Sequence, residues 1–183
     1  NDVQAAYDVL DALDPDTPLP RYAGRQNHNY ATVGELVSDN GLRLHNEDLQ
    51  LDYVTPIREQ MIAELGLLPE EVVLLPGLFE EIGYCYGTNA ALMPGMANLI
   101  VTDFGEGTQL FMADPFIRTD LGDQSSDPMI AAVTAVLPAE AELHFLDDWE
   151  VYHLGLGEVH CGSNVIRTPP TTPWWTLATG DSQ

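Results

Sequence analysis

Short apolar runs alternate along this sequence with longer segments in which apolar residues recur every three or four positions. The short runs are bounded by glycine, proline or polar residues, which is typical of strands, and the longer segments have the spacing of amphipathic helices. This alternation predicts a layered α/β or α+β domain, in which helices cover a sheet. No internal repeat or composition shift marks a linker, so residues 1–183 are treated as one unit.

Four helices are predicted from apolar periodicity and capping residues. Three of them span residues 1–13, 46–65 and 128–137. The remaining one, second in the chain, is short: Thr32 and Glu35 occupy capping-box positions at its start, and Asn40-Gly41 would end it. In the third, Asn46 would be the cap, Pro56 would kink the helix and Gly66 would stop it. Its apolar stripe is expected in the core and comprises Leu51, Val54, Ile57, Met61 and Leu65.

The predicted strands are short and apolar, and the second and third are joined by a glycine turn at Gly105-Glu106-Gly107 that is typical of a hairpin. The strands cover residues 72–75, 98–102, 108–112, 142–146 and 165–167. Residues 78–94, which include Tyr84, Cys85 and Tyr86, are predicted to be irregular.

The charge of the chain is strongly negative. It has 29 acidic residues against six arginines and no lysine, for a formal net charge of −23. Such a surface repels nucleic acid phosphates and anionic membranes and attracts cations, and it also favours solubility in a salty medium. No apolar run approaches the ~20 residues of a membrane helix. We therefore expect neither nucleic acid nor membrane as a partner.

Two polar stretches are interpreted mainly as surface loops. Residues 21–30 contain Arg21, Arg25 and His28 and form the most basic part of the chain; a solvated loop is expected, with a lip over a site as the alternative. Asp114, Asp120, Asp123 and Asp127 do not fit a calcium-loop pattern and are expected in a solvated acidic loop.

The candidate catalytic residue is Cys161, which lies in a turn of small residues, Gly157 to Asn164. Glycines on both sides leave the backbone room to bend, so a substrate could approach the thiol. Only a few per cent of a free thiol is ionised at neutral pH, so a nucleophilic cysteine needs local activation. The alternatives are a small buried apolar residue, as most lone cysteines are, or a disulfide to Cys85.

The side chains near Cys161 that could support it are His153, Glu158, His160 and Asn164. Neighbouring residues of an extended chain point to opposite sides, so His160 is a poor base for Cys161 and is interpreted as a structural neighbour. The His, Glu and Cys residues match no familiar zinc spacing, so we predict no metal ligand here. Neither a Gly-x-Ser-x-Gly elbow nor a phosphate-binding loop is present.

The C-terminal part of the chain contains the run Gly157-Glu158-Val159-His160-Cys161-Gly162-Ser163-Asn164-Val165, followed by Pro173-Trp174-Trp175. This pattern resembles the C-terminal signature of the protein-arginine deiminase family. Three earlier segments match in the same order: Leu42 to Asn46 with the helix ending in Glu64-Leu65-Gly66-Leu67, Leu75 to Phe79, and Met96 to Val101.

The resemblance implies the C-terminal half of a pentein catalytic domain, an α/β-propeller built from ββαβ modules. It implies that Cys161 attacks the guanidinium carbon of a protein or peptide arginine, and that citrulline and ammonia form through a thiouronium intermediate. A small-guanidine hydrolase or amidinotransferase with the same cysteine chemistry stays open. A catalytically inactive, acidic domain that binds basic proteins is the third hypothesis.

The sequence departs from the family pattern in two respects. The family's other catalytic residues, a His-x-Asp pair and an earlier aspartate, have no match in residues 1–183, so the upstream half of the domain is expected as a partner. Calcium is implied by the resemblance, with its ligands upstream. Gly155-Leu156 replaces the Arg-His that grips the substrate backbone in the family. The resemblance favours a cytoplasmic location, and an extracellular one stays open.

Overall fold

A computed structural model describes residues 2–25, 28–83, 87–103, 105, 107–166 and 171–172. Helices and two small sheets make up the fold, which confirms the mixed α/β class expected from the sequence. The helices are α1 (Val3–Asp11), α2 (Val33–Val37), α3 (Asn40–Leu49), α4 (Thr55–Leu65) and α5 (Pro128–Val136). The strands are β1 (Phe79–Glu81), β2 (Asn89–Ala91), β3 (Ile100–Asp103), β4 (Thr108–Ala113) and β5 (Glu142–Leu146).

The larger sheet has the strand order β3-β4-β5. Strands β3 and β4 form the predicted antiparallel hairpin, and β4 pairs with β5 in parallel. A parallel pair needs a long crossover, which α5 supplies on the N-cap predicted for it: Asp127 accepts hydrogen bonds from the N–H groups of Met129 and Ile130. The succession along the chain is thus β–β–α–β, and three of the predicted strands are confirmed here.

The core is a cluster of buried side chains from α1, α2, α5 and the central strand β4. Helix α1 turns one face inward as predicted, with Tyr7 and Leu10 almost fully buried. Met112 of β4 and Val133 of α5 have no exposed surface. Burial of such side chains contributes about 1.5–3 kcal/mol each, so this face of α1 anchors the N-terminal part of the chain to α2 and α5.

Residues 78–94 are less irregular than predicted, because β1 and β2 pair there as a small antiparallel hairpin. Tyr84, Cys85 and Tyr86 lie outside the described residues. The predicted strand at residues 72–75 is wrong. That segment is extended but has no partner strand among the described residues; a single bridge joins Asp2 to Pro76, and the N–H of Asp2 donates to the Leu75 carbonyl at 2.8 Å.

The caps predicted for α2 and α3 need correction. Thr32 accepts from the N–H of Glu35, but Glu35 reaches back to the N–H of Ala31, and α2 ends at Val37. Asp39, one residue before the predicted stop at Asn40-Gly41, instead caps α3 through the N–H of Leu42 at 2.9 Å. The hydrogen bond from Leu42, followed by one from Tyr30, lowers the pKa of Asp39 below its usual value.

Asn46 is not a helix cap but a fully buried residue within α3. Its side-chain oxygen accepts from the N–H of Phe79 at 2.7 Å, and its side-chain nitrogen donates to the Phe79 carbonyl at 2.8 Å. The amide group therefore pairs with β1 as a neighbouring strand would. It ties the β1–β2 hairpin to α3.

The long helix is interrupted and exposed. Residues 50–54 form a π-helical segment between α3 and α4, directly before Pro56, which has no N–H to continue the α-helical ladder. Gly66 ends α4 in the left-handed conformation, at φ 66°, as predicted. None of the residues of α4 is buried. The expectation that the stripe packs in the core is wrong: its apolar period is helical, but Leu51 and Leu65 are 68% and 65% exposed.

A buried ion network replaces the solvated acidic loop expected after β4. Arg118 donates to both carboxylate oxygens of Asp114, at 2.6 and 2.8 Å, and to Asp127 at 3.1 Å. Its remaining donors reach the carbonyls of Asp120 and Leu121. Asp114 and Asp127 are each 1% exposed, so the expectation holds for neither of them.

The strand predicted at residues 165–167 is not observed at its first two residues. Val165 and Ile166 belong to no strand, and Arg167 and residues 173–175 lie outside the described residues. In the described part of the chain, no helix is long and apolar enough to cross a membrane.

We predict that Arg118→Met destabilises the fold by about 3–5 kcal/mol, because it leaves two buried carboxylates without their counter-charge. Urea unfolding followed by circular dichroism would measure the loss. Arg58→Met, on the exposed helix α4, is the matched control and should change the free energy of unfolding by about 0.5 kcal/mol or less. Equal effects of the two substitutions would contradict a structural role for the network.

Candidate active site

The candidate nucleophile lies in a turn that its own backbone closes. A 3₁₀ turn at His153–Gly155 leads into it and ends at Leu156, which has a left-handed φ of 66°. The N–H of Gly162 then donates to the Glu158 carbonyl at 3.0 Å, and the N–H of Ser163 to the His160 carbonyl at 3.2 Å. Cys161, within this turn, is a free and exposed cysteine. It is therefore not the small buried residue of the alternative hypothesis.

Two glycines are needed beside Cys161 for space rather than for unusual backbone angles, since neither has a positive φ. A Cβ at Gly162 would lie 2.2 Å from the ring of Tyr152, and one at Gly157 would lie 3.1 Å from the Cβ of Cys161. Real Cβ atoms do not approach that closely to a ring. The predicted turn of small residues is confirmed. The glycines are required because Tyr152 packs closely against Gly162 and Cys161 packs closely against Gly157.

Asn98 holds the turn from the other side. Its side-chain oxygen accepts hydrogen bonds from the backbone N–H groups of His160, at 3.0 Å, and Cys161, at 3.2 Å. Because these donors fix the orientation of the amide group, its nitrogen faces the sulfur of Cys161 and donates to it at 3.0 Å. An N–H donated to sulfur stabilises a thiolate more than a thiol. Asn98 thus contacts both the backbone and the sulfur of Cys161 and positions the cysteine.

A cavity of about 370 Å³ opens beside the thiol. Its walls are the β1–β2 hairpin, with Phe79 and Ala91, the segment that contains Asn98, and the cysteine turn itself. Most of the lining is small or apolar, and polar groups enter it from His153, Glu158 and Asn98. The hairpin that Asn46 ties to α3 therefore forms one wall of the candidate site.

The four supporting residues predicted from the sequence lie in different surroundings. His153 and Glu158 are buried, and the Nδ1 atom of His153 lies 2.9 Å from Glu158 Oε1. His160 is exposed, and its hydrogen bonds within the described structure are made by its backbone N–H and carbonyl. Asn164 is exposed, beyond the turn. The structure thus brings His153 and Glu158 together with Cys161 at the cavity, and leaves Asn164 at the surface.

Asp148 is buried in the same region, and sequence reasoning assigned it no role. Burial, followed by the charge of Glu158, raises the pKa of Asp148 to about 8. The sequence signal for it was weak, because Asp147, Asp148 and Glu150 look alike as part of an acidic run. Asn98 was visible only as one position of a matching segment, 63 residues before Cys161.

The basic stretch at residues 21–30 is not a freely solvated loop. Arg21 pairs with Asp147 at 2.6 Å and Glu150 at 3.2 Å, and Arg25 pairs with Glu80. Both arginines line a second cavity of about 690 Å³. Leu156 lines both this cavity and the one beside Cys161. The segment therefore forms a wall next to the candidate site, which agrees with the alternative that it is a lip.

In the part of the chain that the structure describes, no three His, Cys, Asp or Glu side chains are arranged to hold a metal ion. The described residues offer no ligand set for calcium.

Comparison with known proteins confirms the resemblance. The family model described as protein-arginine deiminase matches residues 8–176. Human protein-arginine deiminase type-4 is 27% identical over 85% of this chain, and mouse type-1 is 30% identical over the same share. Rat type-4 is 30% identical over 79% of the chain. The chain spans only 22% of the length of the first two relatives and 21% of the third. By the extent of these matches, the chain belongs to the protein-arginine deiminase family.

Proposed function

We propose that this chain supplies the cysteine-bearing part of an active site that hydrolyses arginine in proteins or peptides to citrulline and ammonia. The observation that carries the proposal is the contact of Asn98 with Cys161: an exposed thiol beside a cavity accepts an N–H from a side chain whose orientation the backbone fixes. The relatives, which are named protein-arginine deiminases, support the substrate class.

The proposed chemistry begins with attack of the Cys161 thiolate on the guanidinium carbon, which forms a C–S bond and a tetrahedral intermediate. The C–N bond to one terminal nitrogen breaks, and that nitrogen leaves as ammonia after taking a proton. The remaining S-linked thiouronium is attacked by water, and the C–S bond breaks as the C=O bond forms. Water loses two protons in these steps: one replaces the proton taken by the leaving nitrogen, and the other converts the released ammonia to ammonium. Citrulline is released and the thiolate is restored, so no external oxidant or reductant is needed.

The acid, the base and the carboxylates that hold the guanidinium are expected on an upstream half of the domain. Two carboxylates bind a guanidinium best, through forked charge-assisted hydrogen bonds. The β–β–α–β succession of β3, β4, α5 and β5 is what one module of a pentein propeller would contain, and the short length relative to the relatives also supports this division. We therefore propose that the chain acts only together with that half.

Gly155-Leu156 bears on whether the substrate is a peptide or a small guanidine compound. The family's backbone-gripping arginine is replaced by Gly155, and a Cβ there would meet no atom within 4 Å, so this position has no side chain to hold a peptide. A peptide would have to be held by other groups. Comparing free arginine with N-acylated, C-amidated arginine as substrate separates deimination of peptides from small-guanidine hydrolysis. Turnover of free arginine alone would overturn the proposal of a protein or peptide substrate.

We predict that Cys161→Ala abolishes citrulline formation by the chain joined to its upstream half, because no other thiol would be at the reacting carbon. The substitution removes one sulfur from an exposed side chain, so circular dichroism should show an unchanged fold. Cys85→Ala is the matched thiol control and should retain activity. Full activity of Cys161→Ala would refute the proposed function.

We predict that Asn98→Ala slows alkylation of Cys161 by iodoacetamide at pH 7 about tenfold, since a hydrogen bond to the ionised sulfur is lost. Asn98→Asp keeps an oxygen for the two backbone donors but places a negative charge at the sulfur, so its alkylation should be slower still. Mass spectrometry of the Cys161 peptide measures the rate, with the Cys85 peptide as an internal reference. Alkylation of both variants at the unchanged rate would show that Asn98 does not activate the thiol.

A further inference from the structure

Three ionisable side chains are buried together behind the cysteine turn. Asp148 and His153 are each 3% exposed and Glu158 is 6% exposed, in a chain whose acidic residues are mostly at the surface. Asp148 follows β5 and its carbonyl accepts the backbone N–H of His153 at 3.1 Å. The ring of Trp149 packs on the His153 imidazole, with 4.8 Å between ring centroids. The cluster is thus held by the segment that leads from β5 to Cys161.

Glu158 connects this cluster to the thiol. Its side chain lies 2.9 Å from His153 Nδ1, while its own carbonyl accepts the N–H of Gly162, the residue after Cys161. Glu158 therefore contacts His153 through its side chain and closes the cysteine turn through its carbonyl. Asn98 holds the turn from the opposite side.

Several polar atoms of the cluster have no hydrogen-bond partner within the described residues. They are both carboxylate oxygens of Asp148, Oε2 of Glu158 and Nε2 of His153. Leaving a buried acceptor unpaired costs about 1–3 kcal/mol, and more for a charged one. Protonation of a buried carboxylate removes its charge and so lowers that cost.

Charged groups on other elements do not neutralise the cluster. The guanidinium groups of Arg21 and Arg25 lie 5.9 and 5.8 Å from the centroid of the Trp149 ring, which itself packs on His153. Arg25 is already paired with Glu80, and Arg21 with Asp147 and Glu150. Asp147 on the cluster's own segment adds negative charge. A retained proton is consistent with the raised pKa of Asp148.

We propose that Asp148, His153 and Glu158 act as positioning residues for Cys161, forming one buried cluster that holds the cysteine turn against Asn98. The inference rests on the proposed role of Cys161 as nucleophile. None of the three residues has to touch the substrate: the cluster acts by keeping the thiol at the cavity and under the amide of Asn98.

The first test compares Glu158→Ala with Glu158→Gln in this chain. Both remove the charge, but Gln keeps an oxygen that can accept from His153. We expect alkylation of Cys161 by iodoacetamide at pH 7 to be about tenfold slower in the Ala variant than in the Gln variant, because only Ala releases the turn from Asn98. Adding Asn98→Ala to Glu158→Ala should slow the reaction no further, since the two substitutions break one linked arrangement. Equal rates for Ala and Gln would overturn the proposal.

Asp114→Asn is the control for a merely structural role. This substitution removes the charge of another buried carboxylate, one that contacts Arg118 and not the cysteine turn. It should lower the urea midpoint while the alkylation rate of folded protein stays unchanged. A decrease in alkylation equal to that of Glu158→Ala would show that loss of stability alone explains the effect.

The second test concerns the protonation of Asp148. A carboxyl whose pKa is raised in the folded state binds more protons folded than unfolded, so it lowers stability as the pH rises from about 4 to about 8. Asp148→Asn, which resembles the protonated acid, should remove this loss. Its urea midpoint should therefore exceed that of the unsubstituted chain at pH 8.5, by more than at pH 5. The same difference at both pH values would show that no proton is held.

Failure of these tests is distinguishable from failure of the proposed function. Alkylation and unfolding require no deimination, so equal rates for the two Glu158 variants overturn the positioning role alone. Citrulline formation by Cys161→Ala, in contrast, would refute the nucleophile on which the positioning role depends.

Discussion

The buried pairing of Arg118 with Asp114 and Asp127 is the interaction on which the arrangement of the larger sheet depends. Asp114 directly follows β4, and Asp127 caps α5, so one guanidinium joins a strand end to the helix that crosses over to β5. Gln124 extends the network from Asp114 to the Phe145 carbonyl of β5. Since the segment after β5 leads to the cysteine turn, the position of Cys161 depends on this pairing.

Two buried clusters of opposite character follow from the acidity of the chain. Around Arg118 every guanidinium donor has an acceptor, which is how a charged cluster is buried at tolerable cost. Around Asp148 and Glu158, no arginine among the described residues pairs with either carboxylate, and four polar atoms of the cluster have no partner there. The first cluster explains a fold. The second cluster lowers the stability of the fold, because its unpaired polar atoms are desolvated without compensation. It lies beside Cys161, where the proposed chemistry takes place.

Local sequence was sufficient for elements whose signals are local. The face of α1, the cap of α5 at Asp127, the hairpin of β3 and β4 and the strand β5 were all predictable from spacing and capping chemistry. Asn46 was misassigned, because an asparagine that could cap a helix can equally bond to a strand, and only the approach of Phe79 decides between them. The apolar stripe of α4 was misplaced for a related reason: periodicity defines a helical face, but not whether anything covers it.

By itself, the sequence determined the family, the helix-and-strand composition and the exposed small-residue turn around Cys161, since each depends on residues adjacent in the chain. Only the tertiary structure brought Asn98 to the sulfur and paired Arg21 with Asp147 across 126 residues. It also buried Asp148 while leaving its neighbour Asp147 partly exposed. The physical reason is that hydrogen bonding and desolvation depend on which distant segments meet. Adjacent acidic residues look alike in sequence, whether they are exposed to water or buried beside a histidine.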